Sequence, residues 1–141
     1  WQPDTNRASP FPAARVVDRR AREDSLAVAW VAAARAGQWV TLRWPIPVEM
    51  RSLRLYGVRR DPTSGTDLSV GDCRIILLRG ERQVGVIAGT GPVMPEGTDV
   101  SFPPLVVDAI RIELLDVSGQ IRGAPRAGLA EVETIARLAL D

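Results

Sequence analysis

Apolar and polar residues alternate most regularly in residues 38–58, QWVTLRWPIPVEMRSLRLYGV. The apolar residues at every second position are Val40, Leu42 and Trp44 in the first half and Leu53 and Leu55 in the second. Because successive side chains of a strand point to opposite faces of a sheet, this spacing predicts two half-buried antiparallel strands. Pro45 and Pro47 stand between the halves and cannot donate hydrogen bonds to a neighbouring strand. The pattern therefore predicts two strands joined by a proline corner.

The rest of the chain predicts further short strands separated by turn-forming residues. The predicted strands are residues 73–79, 83–88, 98–102 and 105–115, with a tight turn at 80–82 and a second proline corner at 103–104. Residues 25–36 and 128–138 fit a helix by propensity, but each also fits a strand. We therefore predict an all-β fold, a single antiparallel β-sandwich or jelly-roll domain over residues 1–141, with 1–12 as an extended lead-in.

The connections of this predicted sandwich are uneven in length. If every connection reverses the chain, the short turns fall at one end and all the long connections at the other. The long connections are the segment before residue 38 and residues 59–72, 89–97 and 116–127. Long loops on a rigid scaffold commonly carry binding sites, so we expect a binding site at this end, which we call the long-loop end.

Composition excludes several classes of function. The 18 basic residues, all arginine, are balanced by 17 acidic ones, so nothing predicts a nucleic-acid partner. The absence of histidine excludes Ser-His-Asp and Cys-His catalysis and imidazole metal ligands. Cys73 is expected to be a small buried side chain rather than a nucleophile. Without an apolar run of roughly 18–20 residues, membrane insertion is not expected, although Val93 and Met94 could form a weak apolar anchor.

Five segments, in order along the chain, resemble one known family. They are ARVVD at 14–18, followed by Trp30; GQWVTLRWPIPVEMRSLRLYGV at 37–58; CRIILLRGERQVG at 73–85; VVDAIRIELLD at 106–116; and GLAEVETIA at 128–136. Together they are similar to the galactose-binding-like jelly rolls, meaning discoidin or coagulation-factor type C domains and related carbohydrate-binding modules. The resemblance implies a non-catalytic module, excised here from a larger extracellular or cell-envelope protein, that binds a glycan or polysaccharide through loops at one end. Neighbouring domains of that protein are further expected partners.

A sugar site needs planar polar groups for the hydroxyls and an apolar face for the ring. The polar candidates at the long-loop end are Arg59, Arg60, Asp61, Arg122 and Arg126. Their alternative role is that of a solvated loop surface. The aromatic candidate is Trp30, whose alternative role is that of a core tryptophan beneath the loops.

The resemblance also implies a structural Ca²⁺, with Asp18 and Glu131 as carboxylate ligands and main-chain carbonyl groups completing the shell. The alternative is that Asp18 caps a turn and Glu131 pairs with an arginine. Glu131 and Glu133 would lie about 7 Å apart on a strand, as glycosidase carboxylates can, but an exposed polar strand face explains them and we expect no catalysis. The alternative to a glycan-binding module is a structural or protein-docking accessory domain of a larger cell-envelope or secreted enzyme, with no sugar site.

Overall fold

The computed structural model describes residues 2–5, 30–31, 37–58, 66–117, 120–121, 124–125 and 128–138, with side chains for 37–58, 68–117 and 128–136. Within these ranges it contains strands and no helix, so no described helix is long and apolar enough to cross a membrane. The strands are β1 (Gln2–Thr5), β2 (Trp30–Val31), β3 (Trp39–Tyr56), β4 (Thr66–Asp67), β5 (Cys73–Arg79), β6 (Arg82–Ile87), β7 (Thr98–Leu114), β8 (Gln120–Ile121), β9 (Ala124–Pro125), β10 (Gly128–Leu129) and β11 (Glu131–Leu138). The all-β prediction is confirmed.

The long strands β3 and β7 pair antiparallel along most of their length, and their register shifts twice. Residues 44–47 of β3 face only Asp108 of β7, and residues 102–104 of β7 face only Arg51 of β3. Both extra stretches contain two prolines, which lack the N–H that a strand pair requires. The prolines are therefore correctly predicted as interruptions, but the prediction of separate strands on either side is wrong. Each interruption is a bulge within one continuous strand, because the φ of proline is compatible with extended backbone.

The bulge at residues 44–47 divides the sheet into two layers. On its N-terminal side the strand order is β1-β3-β7-β5-β6, and on its C-terminal side β3 pairs with β7 and β11. The two layers share a core, because Val40 and Leu42 from the first half of β3 lie in the same buried cluster as Leu53 and Leu55 from the second. This arrangement is the predicted antiparallel β-sandwich of jelly-roll type, with one face of each layer turned inward.

The hairpin of β5 and β6 closes the end of the sandwich opposite the long loops. Its strands match the predicted ones, except that β6 begins and ends one residue earlier. The turn residues Gly80 and Glu81 have φ values of +56° and +67°, as a type I′ turn requires. The Gly80 N–H donates to the Asp108 Oδ2 at 2.8 Å. Since Asp108 is the β7 residue at the register shift opposite residues 44–47, this bond fastens the turn to β7 beside that bulge.

The segments 25–36 and 128–138, whose sequences fit either a helix or a strand, are extended where the structure describes them. Residues 128–138 form β10 and β11, and β11 pairs with β3. Of residues 25–36, the described ones are Trp30 and Val31, which form β2 and pair with β10. Of the predicted lead-in, residues 2–5 form β1, which pairs with β3. In each case a partner strand favours the extended form over the intrinsic helix propensity.

Cys73 is fully buried at the start of β5. Burial raises the pKa of its thiol to about 12, well above the ordinary value for cysteine. The prediction of a small buried side chain is confirmed, and a thiol that stays protonated is a poor nucleophile.

Candidate functional site

The described residues that flank the long connections are joined by main-chain hydrogen bonds. The bonds are Leu114 N–H to Gln38 O at 2.9 Å, Gly57 N–H to Met94 O at 3.0 Å, Val93 N–H to Val70 O at 2.9 Å, Gly71 N–H to Asp116 O at 2.5 Å and Leu115 N–H to Asp72 O at 3.0 Å. Three of the four predicted long connections contribute at least one of these residues, and Gln38 directly follows the fourth. For the described residues, the long connections therefore meet at one end, as expected.

Two short sheets connect the same loops further. Strand β4, within the connection 59–72, pairs with β8, within the connection 116–127, and β8 pairs with β9. Strand β2 pairs with β10, the strand that directly follows the connection 116–127. The segments before and after the main strands are thus tied to one another by backbone pairing.

Asp72 is the side chain that holds these loops together. Its Oδ1 accepts hydrogen bonds from the main-chain N–H groups of Cys73 at 2.9 Å, Thr90 at 2.9 Å and Gly91 at 3.1 Å. The Thr90 hydroxyl in turn accepts from the Cys73 N–H at 3.2 Å. Hydrogen bonds to an ionised acceptor are stronger than neutral ones, so this carboxylate fixes the start of the loop 89–97 on β5. Asp72 was not among the predicted site residues, and its position directly before a strand was the signal that the sequence offered.

The loop 89–97 is rigidly built. Val93 is 6% exposed and belongs to the core, whereas Met94 is 44% exposed. The Met94 N–H donates to the Thr98 Oγ1 at 2.9 Å, and the Thr98 hydroxyl donates to the Pro92 carbonyl at 2.7 Å. The idea of Val93 and Met94 as a joint apolar anchor is wrong, because Val93 turns inward to fill the core.

Two glycines permit the close packing of this loop against β3. A Cβ on Gly57 would lie 2.6 Å from the Val93 carbonyl oxygen, so a larger residue would push the loop away. Gly97 has a φ of +113°, which L side chains rarely adopt, and the Arg54 side chain crosses it to donate to the Glu96 carbonyl at 3.3 Å. These contacts fix the loop relative to the residues just before Arg59.

Most predicted ligand residues lie outside the described residues: Arg59, Arg60, Asp61, Arg122 and Arg126. The Trp30 backbone lies in β2 opposite Leu129, but its side chain is not among those described. Along the chain, Arg59 comes two residues after Gly57, and Arg122 stands between the paired strands β8 and β9. The backbone pairing thus connects the segments that carry these residues, and their roles stay predictions.

One of the two predicted metal ligands lies among the described residues. Asp18 lies outside the described residues, and Glu131 begins β11 opposite Tyr56, where both side chains are buried. Among the described residues no group of three Asp, Glu or Cys side chains is placed to hold a metal ion. Glu131 is 1% exposed whereas Glu133 is exposed, so these carboxylates do not share the environment of a glycosidase pair.

The remaining tryptophans of the first half of β3 are engaged within the fold. Trp44 packs against the core, as its alternation with Val40 and Leu42 predicts. Trp39 points to the other face, where the Arg111 guanidinium lies 4.3 Å from its ring centroid. Stacking of this kind occupies the indole face that a sugar would use.

The fold and the gathered loops define a class of architecture: an antiparallel β-sandwich of jelly-roll type with its long loops at one end. No protein-family model and no curated protein matches the chain. Among solved structures, the chain is similar to the lectin domain of lectinolysin complexed with Lewis B antigen, with TM-score 0.72, 16% identity and coverage of 98% of this chain and 93% of that one. It is also similar to a fucose-binding module of Streptococcus pneumoniae, with TM-score 0.74, 14% identity and coverage of 95% and 89%. A third is the family 32 carbohydrate-binding module from C. perfringens NanJ in complex with galactose, with TM-score 0.69, 16% identity and coverage of 94% and 91%. At these identities the similarity establishes the fold, and the predicted galactose-binding-like jelly roll is confirmed.

Proposed function

We propose that this domain is a non-catalytic carbohydrate-binding module whose glycan site lies at the long-loop end. The observation that carries the proposal is the meeting of the long connections on a jelly roll. Solved structures with this fold bind Lewis B antigen, fucose and galactose. Loops fixed at their bases by hydrogen bonds form a pre-organised site, which lowers the entropy cost of binding.

The proposed ligand contacts come from the arginine-bearing loops. Arg59, Arg60 and Asp61 follow the end of β3, where Gly57 is hydrogen bonded to the loop 89–97. Guanidinium groups donate paired hydrogen bonds to adjacent hydroxyls or to a carboxylate, so this set suits hydroxyl-rich or acidic glycans. Arg122 and Arg126 extend the polar surface, and Trp30 supplies an aromatic face.

A glycan array and affinity electrophoresis in polysaccharide gels test this site. Replacement of Arg59 and Arg60 together by Ala is expected to weaken binding by at least about tenfold, the typical cost of losing charge-assisted hydrogen bonds. The matched control is Arg51→Ala plus Arg82→Ala, which removes two exposed arginines at a distance from the long loops and should leave binding unchanged. If the Arg59 and Arg60 variant binds the glycan as tightly as the wild type, these two residues do not contact the glycan.

The domain is further proposed to work in the extracellular space or cell envelope as part of a longer protein that it directs to a glycan surface. A docking module without a sugar site is the second candidate. It is favoured by the large exposed side chains of Ile46 and Ile135, 52% and 63% exposed, which lie outside the long loops. If the domain binds no member of a broad glycan panel but binds neighbouring domains tightly, the second candidate is established.

A structural Ca²⁺ at Asp18 and Glu131 is proposed as part of the same module. Glu131 is the proposed carboxylate ligand that lies among the described residues, with its side chain buried at the start of β11. Asp18 and main-chain carbonyl groups would supply the other oxygen ligands. Bound there, the ion would cross-link the first loop to the start of β11.

A further inference from the structure

Strand β11 has one neighbour among the described strands, so its other edge has no described partner. It pairs with β3 along its length, residues 131–138. The irregularity in this pairing is the extra residue Arg51, which belongs to β3, so β11 itself runs without interruption. It contains neither proline nor glycine, which commonly interrupt a sheet edge. Such an edge offers a row of main-chain N–H and C=O groups to a further strand.

The exposed side chains on β11 are poorly matched within the domain's own sheet. Ile135 is 63% exposed, the highest value among the large apolar side chains that the structure describes, and the residue opposite it on β3 is Ser52. Glu133 is exposed and lies opposite Arg54. The Arg54 Nε, however, lies 3.4 Å from the Asp99 Oδ1, on the strand at the other side of β3. Among the described residues, Glu133 therefore has no ion-pair partner.

The sequence of β11 matches its own reversed copy. When two β11 strands run antiparallel with Ile135 opposite Ile135 of the partner subunit, Glu133 lies opposite Arg137 of the partner subunit. The remaining positions pair small or apolar residues, namely Thr134 with Ala136 and Val132 with Leu138. Cross-strand pairs of opposite charge and of apolar side chains stabilise a sheet, whereas like charges placed opposite each other destabilise it. No position in this register brings like charges together.

Other alignments of the two strands are less favourable. A shift by one residue would place residues of opposite sheet faces against each other. A shift by two residues, in either direction, would place Ile135 opposite Arg137 or Glu133 of the partner subunit. The charged pairs thus select one register, while main-chain hydrogen bonds hold the strands together.

We propose that β11 is the interface of a symmetric dimer, in which two β11 strands pair antiparallel around a two-fold axis at Ile135. The occupant of the edge is a second copy of this chain, because the charges and apolar positions of β11 complement those of its own reversed copy. The layer of β7, β3 and β11 in one copy then continues into the same layer of the other. Since the paired strands run in opposite directions, the two long-loop ends point away from each other.

Sedimentation equilibrium of the 141-residue chain over a range of concentrations tests the dimer, with a monomer mass of 15.3 kDa. A single strand pair is a small interface, so we expect a dissociation constant on the order of 10–100 μM and a mass that approaches twice the monomer value at about 300 μM. Ile135→Ser should weaken association by at least about tenfold, because both copies of the side chain meet at the axis. Val86→Ser is the matched control, since Val86 is an exposed apolar residue on β6 and its replacement should leave association unchanged.

Charge reversal tests the register. Glu133→Arg alone places two arginines opposite each other, and Arg137→Glu alone places two glutamates opposite each other. Each variant should therefore stay monomeric at concentrations and low ionic strength at which the wild type dimerises. When the two variants are mixed in equal amounts, both charged pairs are again of opposite sign, and the mixture should associate as the wild type does. Equal melting temperatures of the separate variants show that neither substitution disturbs the fold.

The proposal is overturned if the wild type stays monomeric up to about 300 μM, the range in which so small an interface should associate. It is also overturned if the wild type dimerises but the mixed charge variants stay monomeric, or if Val86→Ser weakens the dimer as strongly as Ile135→Ser. The inference concerns a different surface from the proposed glycan site and is measured without glycan. Its failure would therefore leave the proposed function standing.

Discussion

Replacement of Asp72 by Ala tests whether a single carboxylate holds the long-loop end together. The substitution removes an acceptor shared by the main-chain N–H groups of Cys73, Thr90 and Gly91. The Cys73 N–H keeps the Thr90 Oγ1 and the Thr90 N–H keeps the Cys73 carbonyl, so the Gly91 N–H is the group that depends on the carboxylate. A hydrogen bond to a charged group contributes about 1.5–3 kcal/mol when it is well made. These bonds are only partly buried and water can replace some of them, so we expect a total loss of about 2–4 kcal/mol in the free energy of unfolding. For a domain of this size that corresponds to a melting temperature lower by roughly 6–12 °C.

The control for Asp72→Ala is Asp108→Ala. The Asp108 Oδ2 accepts one N–H, that of Gly80, at an exposed turn on the opposite end. Its loss should cost about 1 kcal/mol or less, because water satisfies the freed N–H. Urea unfolding of both variants gives the two free energies under identical conditions, and similar m-values show that both unfold by the same transition.

Hydrogen exchange locates the effect of Asp72→Ala within the fold. The amide of Gly91 should lose protection in this variant, whereas the amides of the β5–β6 hairpin should keep theirs. The reasoning is refuted if Asp72→Ala is destabilised no more than Asp108→Ala. It is also refuted if the Gly91 amide stays protected, because its hydrogen bond would then not depend on the carboxylate.

Three further predictions concern buried ionisable groups. Because burial raises the pKa of the Cys73 thiol to about 12, the folded protein should resist alkylation at pH 8 and react at once in urea; rapid alkylation of the folded protein would contradict this. The thiol pKa is higher in the folded state than in the unfolded one, so the protonated thiol stabilises the fold below about pH 9. This contribution should disappear between about pH 9 and 12. The free energy of unfolding of Cys73→Ala should therefore change less with pH over that range than that of the wild type. If Ca²⁺ binds at Asp18 and Glu131, a chelator should lower the melting temperature and Glu131→Gln should abolish the difference; an unchanged midpoint would argue against a stabilising ion.

The strands were predictable because their signal is local. Alternation along residues 38–58 and the apolar run at Cys73–Arg79 each report how a strand presents its faces, whatever its partner. The prolines likewise marked where pairing is interrupted. That β3 continues through them was not predictable, because continuity depends on β7 keeping its place alongside, which is a property of a strand some 60 residues later.

The candidate site was less predictable for the same physical reason. Asp72 looked like one polar residue in a turn-rich stretch, yet two of its N–H partners lie 18 and 19 residues further along the chain. Val93 and Met94 are neighbours in sequence and equally apolar, but the loop turns one into the core and the other to solvent. Such differences arise from how loops pack on one another, and a period along the chain carries no information about them.

The hydrogen bonds at the bases of the long loops are mainly between backbone groups. The fold therefore depends little on which side chains the loops carry. Apart from the Asp72 carboxylate, the hydroxyls of Thr90 and Thr98 and the Arg54 guanidinium, the described contacts at the loop bases join N–H to C=O. Backbone groups are present whatever the side chains, so substitutions in the loops change the surface offered to a ligand without removing the bonds that hold it. A jelly roll of this type can therefore keep its shape over 94–98% of the chain at 16% identity. It follows that the surfaces of such loops differ through a few exposed side chains, while the backbone that carries them is held by its own hydrogen bonds.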